Sequence, residues 1–411
     1  MRIALIADVS IADVIGGAER VLSEQAKRLA RRGHQVHVLT RRRPEHRGSV
    51  ETIDGVTEWR YCFEAGTLAA AARSIAIDGR RAWLRLATGQ SIQAAICHQP
   101  FSALCLHTAP VVCPSLYVCH SLSFEEFQLR CPTPSTRLQR LLYQAKAGMH
   151  RSIEKEMLKR ACHVVVLSDY TRDKLCRTHG LSNRSISVLP GGVDLDRFQP
   201  VRDKAAVRRA LGVPAEAIVL LTVRNLVARM GLKNLIRAMA MVRRQEPRAL
   251  LVIGGQGPLK TDLIDAVSAG GLEERVRFEG FIPEDRLPLY YQAADLFVLP
   301  TLDLEGFGLV TLEAMACGCP VLGTPVGGTV EILGRFDNGF LFRDASPHAM
   351  AERIVEKCRI VNNMPEQWRL IGSGCRRFVE AHYRWDRQID ALEKLLEACL
   401  NNKTFSLRSS A

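Results

Sequence analysis

Short, nearly continuous apolar runs alternate along this chain with longer stretches in which apolar residues recur every three or four positions. The runs Arg2–Ala7, His34–Leu39, Ala94–Cys97, Ser115–Cys119, His163–Leu167 and Ile186–Leu189 predict strands, and such runs suit parallel strands buried on both faces. Gly17–Arg32 reads as a helix, with Ala18, Leu22, Ala26 and Leu29 on one face and Gly33 as its stop. Pro190-Gly191-Gly192 punctuates the chain, and a second series follows with strands near Ile218–Val223, Ala249–Ile253, Val276–Glu279, Asp295–Leu299 and Val321–Gly323. Helices such as Gly231–Arg244 and Pro283–Ala293 run between them, and after Asp344 the pattern turns helical through Pro347–Val361, Glu366–His382 and Arg387–Leu400. Two strand-helix series in succession predict an α/β protein with two doubly wound, Rossmann-like parallel-sheet domains, 1–195 and 196–383, ahead of a polar tail, 401–411.

Composition fits a large folded protein of two ordinary domains: 411 residues, 47% hydrophobic. Asp8 and Asp13 interrupt the first apolar run, unlike a secretory signal, and no stretch approaches the roughly 20 apolar residues of a membrane span. Thirteen scattered cysteines, none in a C-x-x-C pair, suggest reduced thiols and a cytoplasmic location.

Charge changes the picture of partners. Residues 1–195 hold 27 Lys+Arg against 17 Asp+Glu, a net of +10, while residues 196–411 hold 29 against 26, a net of +3. A basic N-terminal half suits an anionic partner. In the Arg137–Arg160 helix, Leu138, Leu141, Leu142 and Tyr143 interleave with Arg140 and Lys146. Such a helix can lie peripherally against the inner face of an anionic membrane, or can be a solvated charged face over an ordinary core. Nucleic acid is not expected, because no recognisable binding motif accompanies the charge.

The most specific chemistry follows the strand ending at Leu299. Glu305 and Glu313 bracket Gly306-Phe307-Gly308-Leu309-Val310, and Gly308–Cys317 reads as a helix. Its first-turn amides lack intrahelical acceptors, and the glycines admit an anion close to the main chain, so phosphate oxygens are natural occupants. The helix dipole adds up to about 2 kcal/mol in a partly buried site. One glutamate can then accept bonds from a ribose and the other from a sugar beyond the phosphates. Alternatively, both are solvated and merely favour the helix start.

This segment resembles the retaining glycosyltransferases of family 4, whose hallmark is E-G-F-G-L-x-x-x-E. The likeness extends to Gly16-Gly17-Ala18-Glu19-Arg20, to Leu189-Pro190-Gly191-Gly192-Val193-Asp194, to Glu279-Gly280-Phe281-Ile282 and to Ala314–Val321. It implies the GT-B arrangement, two such domains facing across a cleft, with the last helix, about 384–400, returning to the first domain after Tyr383-Arg384-Trp385. It also implies transfer of a hexosyl or N-acetylhexosaminyl group from a nucleotide diphosphate sugar to a glycan, glycolipid or small-molecule hydroxyl, as in polysaccharide biosynthesis. The sugar keeps its anomeric configuration, and no metal or other cofactor is needed. The base would lie near Phe281 and Ile282, the ribose on Glu313, the phosphates on the amides of Gly306–Val310, and the sugar against Glu305. Gly16 and Gly17 would meet the donor phosphate or the acceptor, and His120 would meet the sugar near its reacting carbon, unless it is a structural histidine.

One stretch departs from the family pattern. Members carry Gly-Arg-Leu followed by Lys-Gly, with two cations at the diphosphate. Aligned on Leu226 and Gly231, those cations are replaced by Asn225 and Met230, whereas Arg224 and Arg229 restore the spacing one residue earlier. At least one of these arginines is expected to reach the phosphates. A non-catalytic nucleotide-sugar-binding subunit and a sugar epimerase on the same plan remain alternatives.

Overall fold

The computed structural model describes residues 1–411 except 15, 47, 65, 112, 132–133, 183–184 and 402–411. The predicted polar tail therefore lies, beyond Asn401, outside the described residues. The chain forms two compact units, one of Met1–Pro190 joined by the C-terminal helix from Asp386, the other of Gly191–Trp385.

The first unit is built on eight strands: β1 (Arg2–Ile6), β2 (Gln35–Arg41), β3 (Val50–Ile53), β4 (Val56–Tyr61), β5 (Ala94–Cys97), β6 (Ser115–Cys119), β7 (His163–Val166) and β8 (Ile186–Val188). Their order is β3-β4-β2-β1-β5-β6-β7-β8. All pairings are parallel except β3 with β4. Ile3, Ala4, Leu5 and Ile6 are wholly buried, as the central strand of a sheet covered by helices requires. The β3-β4 hairpin departs from the predicted strand-helix series. It turns on Asp54 (φ 50°) and Gly55 (φ 79°), two left-handed residues in succession that make a two-residue hairpin loop.

The second unit contains β9 (Ile218–Val223), β10 (Ala249–Gly254), β11 (Val276–Gly280), β12 (Leu296–Leu299) and β13 (Val321–Gly323). Their order is β11-β10-β9-β12-β13, and all pairings are parallel. Leu220, Leu251, Ile253, Leu296 and Val298 pack with Leu235, Ile236, Met239 and Val242 of the helix Leu232–Gln245 into one core. In both sheets the strand order reverses once, at β1/β5 and at β9/β12.

The last helix, Trp385–Asn401, from Asp386 onward belongs to the first unit. Ile389, Leu392 and Leu396 are buried. Arg32 reaches Asp390 and Glu393, each at 2.6 Å, and Gln388 Nε2 donates to the carbonyls of Leu189 and Pro190. Burial of leucine outweighs these exposed ion pairs. Leu392→Ala is expected to lower unfolding free energy by about 2–5 kcal/mol and Arg32→Ala by less than about 1 kcal/mol, as read from urea titrations of the two variants.

Candidate functional site

Crevices for ligands open at strand carboxyl ends where a doubly wound sheet reverses its order. In the second unit that place lies between β9 and β12. Arg224 is the first residue after β9, and the loop after β12 carries Thr301 and Glu305. The Arg224 guanidinium spans the reversal: Nη2 lies 2.6 Å from Glu305 Oε2 and 3.1 Å from Thr301 Oγ1. Thr301 Oγ1 donates to the same carboxylate oxygen at 3.0 Å. The guanidinium also rests on Met230, whose sulfur receives Nη2 at 2.8 Å and Nε at 3.2 Å. Nη1 has no hydrogen-bond partner among the described residues. Arg224 is 9% exposed, Glu305 7% and Glu313 2%, which overturns the alternative of two solvated glutamates.

The loop between β12 and its helix is held in one shape from several sides. Leu304 has φ 53°, an uncommon, left-handed conformation for a leucine. Arg229 Nη1 donates to the Leu304 carbonyl at 3.1 Å, and the Leu302 amide donates to the Arg229 carbonyl at 2.7 Å. Gly327 (φ 60°) lies so near Glu305 that a Cβ there would collide with the Glu305 carbonyl, and the Gly328 amide donates to that carbonyl at 2.9 Å. Gly308, at φ 96° and ψ 54°, opens the helix Leu309–Ala316. No side chain at 308 covers the first turn, where helical amides face outward.

The remaining predicted donor residues divide into surface and support. Glu313 sits in the second turn of that helix, and Tyr291 Oη donates to its Oε2 at 2.9 Å. Phe307 and Leu309 are buried against Gly191, where a Cβ would come within 2.6 Å of Leu309. Gly306 precedes them on the loop, and Val310 is half-buried. Phe281 is 55% exposed after β11, while Ile282 is buried against Gly254.

In the first unit, the β1/β5 reversal gathers a different set. The Asp8 amide, beyond β1, donates to Gln99 Oε1 beyond β5 at 3.0 Å. His98, also beyond β5, places Nδ1 3.1 Å from Nε2 of His120, which follows β6, with the rings stacked at 5.3 Å. One nitrogen must donate and the other accept, so the accepting ring is neutral in this contact. Burial holds His98 well below the usual imidazole range and lowers His120 to about 4. Gly16 is the residue before the helix Gly17–Arg31, and its carbonyl accepts from the Arg20 amide. Glu19 follows in the first turn; burial raises its pKa, with Glu126 adding to the effect.

Comparison with known proteins decides the family. Residues 203–369 match Glycosyl transferases group 1, and residues 15–197 match Glycosyltransferase Family 4. A D-inositol 3-phosphate glycosyltransferase of Kineococcus radiotolerans is 31% identical over 352 residues, 76% of this chain and 74% of that protein. The chain belongs to glycosyltransferase family 4. A GDP-mannose-dependent alpha-(1-6)-phosphatidylinositol monomannoside mannosyltransferase of Mycobacterium tuberculosis is 33% identical over 236 residues, 54% of this family 4 chain and 58% of that protein. The match thus spans little more than half the length of that relative. The solved structure of sucrose-phosphate synthase from Thermosynechococcus elongatus has a TM-score of 0.80 at 26% identity, covering 97% of this chain and 98% of that one. Two Rossmann-like parallel sheets are the GT-B plan of the family.

Structure brings Arg224 and Glu305 into direct contact and ties Arg229, which follows β9, to the loop after β12 that carries Gly306 and Gly308. His120 meets His98 in the other unit. Sequence reasoning missed His98, Thr301 and Tyr291. A histidine closing the strand beside that of His120 was a usable signal, whereas Thr301 and Tyr291 show their roles only through the sheet order.

The neutral histidine pair gives this family 4 chain a pH signature. The unfolded chain takes up protons below about pH 6.5, and native His120 does so only near 4, so between those values the unfolded state binds more protons. Stability is therefore expected to fall as pH drops through that window, by roughly 3 kcal/mol from His120. Urea midpoints at pH 7 and 4.5 measure it, and His120→Gln should shrink the difference.

Proposed function

We propose that this chain moves a hexosyl or N-acetylhexosaminyl group from a nucleotide diphosphate sugar to an acceptor hydroxyl, with retention at the anomeric carbon and without a metal, in building a cell-surface glycan or glycolipid. The observation that carries the reading is the buried Arg224–Glu305 pair beside the glycine-opened helix start. Relatives named for a GDP-mannose donor and for phosphatidylinositol or inositol phosphate acceptors support the substrate class.

In this reading the diphosphate lies on the amides of Gly306–Val310, and Arg224 turns its Nη1 donors to it. Negative charge grows on the leaving phosphate as the glycosidic bond breaks. Preorganised amides and a guanidinium, sheltered from water, stabilise that charge without metal. Glu305, held by Arg224 and Thr301, receives sugar hydroxyls; Glu313 receives a ribose hydroxyl and Phe281 stacks on the base. The acceptor attacks from the face the phosphate leaves, and the departing phosphate takes its proton. On the first unit, His120 is assigned to the reacting sugar, where a neutral imidazole donates or accepts without adding charge.

A non-catalytic donor-binding subunit is favoured by one observation: Glu305 already neutralises Arg224. Donor hydrolysis or transfer by the purified chain separates the two readings.

Arg224→Gln should slow turnover about a hundredfold, the loss expected for roughly 3 kcal/mol of transition-state stabilisation. Adding Met230→Lys should restore part of that rate, because the residue-230 side chain touches the guanidinium it would replace. A second variant without recovery would disconnect residue 230 from the phosphates. A chelator should leave turnover unchanged; its abolition would contradict metal independence.

A further inference from the structure

The helix Arg137–Arg160 begins with a well-made cap and no core. Thr136 and Gln139 form a reciprocal capping box, so the first turn is helical in its own right. Every residue from Ser135 to Leu142 is nevertheless exposed. Leu138, Leu141 and Leu142, one stripe at helical spacing, stand 67%, 64% and 54% exposed, and Leu129 of the preceding helix Ser123–Arg130 stands 47% exposed. The reading of an ordinary core beneath these leucines is thereby overturned. The base of the hairpin is firm: Phe127 contacts Tyr143 at 5.4 Å and stacks on His150 at 4.8 Å, and Tyr143 Oη donates to the Gln128 carbonyl. Between the two helices lies a crevice of about 440 Å³ lined by Phe127, Cys131, Leu142, Tyr143 and Lys146.

The charge along the stripe itself has one sign, while Arg130 of the preceding helix pairs with Glu126 at 2.9 Å. From Phe127 to Ile153 the chain carries Arg130, Arg137, Arg140, Lys146 and Arg151 and no carboxylate. Arg137, Arg140 and Lys146 are exposed around the leucines. Protein interface cores are depleted of charge, whereas helices lying on membranes set leucines among lysines and arginines.

We infer that this hairpin docks on an anionic lipid bilayer, the leucines entering the headgroup boundary, the cations meeting lipid phosphates and the crevice receiving part of an acyl chain. The inference does not depend on the transfer chemistry. Each cation near an anionic surface contributes about fivefold to partitioning, so the combination discriminates strongly by lipid charge.

Cosedimentation of the full chain with phosphatidylcholine vesicles, with and without phosphatidylglycerol, tests it. Binding to the anionic vesicles alone is expected, weakening near 1 M salt, where the Debye length is about 3 Å. Leu138→Ser/Leu141→Ser/Leu142→Ser and Arg137→Gln/Arg140→Gln/Lys146→Gln should each lower vesicle affinity about tenfold or more. Their melting temperatures should be unchanged, because these side chains contribute nothing to the core. Absence of binding, equal binding to neutral vesicles, or wild-type binding by both variants would overturn the inference. So would a fall in oligomeric state on removing the leucines, which would show the stripe to be a contact between copies. Donor hydrolysis in detergent-free buffer, unchanged in both variants, keeps this test separate from that of the transfer reading.

Discussion

A buried ion pair, Arg224 with Glu305, joins the two strand ends on either side of the reversal in the second sheet. Neither charge is tolerable there alone: removing one partner of such a pair costs about 3–5 kcal/mol because the other is left uncompensated. The pair is therefore better understood as fixing positions than as adding stability. Thr301 bonds both members, Met230 backs the guanidinium, and the closely packed Gly327 and Gly328 hold the backbone of Glu305. The left-handed Leu304 is sustained by the same surroundings.

The corresponding position in the first sheet is solved with opposite electrostatics. Where β1 gives way to β5, two neutral histidines share a hydrogen bond, and burial keeps both uncharged at neutral pH. One reversal thus holds paired charges, and the other a neutral polar pair.

Much of this was legible in the sequence where one local pattern sufficed. Parallel strands such as β1 and β12 show as unbroken apolar runs, and the helix after Gly308 shows through Leu309, Leu312 and Ala316. The hairpin at Val50–Tyr61 was missed although Asp54-Gly55 is a turn signal, because its flanking residues alternate weakly. Pro100–His107 was missed because a segment apolar at nearly every position has no period to read. Arg224 was recognisable as a phosphate candidate from its spacing to Arg229. Its pairing with Glu305, 81 residues later, follows only from β9 and β12 being neighbours. The exposure of Leu138, Leu141 and Leu142 was equally hidden, since a helical stripe looks the same with or without a core beneath it.

The proposed chemistry requires a diphosphate seated at the mouth of Leu309–Ala316 beside Arg224. Calorimetric titration of the intact chain with uridine, guanosine and adenosine and with their diphosphates measures this most directly. At least one diphosphate should bind about a hundredfold more tightly than its nucleoside, a difference of roughly 3 kcal/mol, and Gly308→Val should remove most of that advantage. Equal affinity for nucleoside and diphosphate, or an advantage untouched by Gly308→Val, would contradict it.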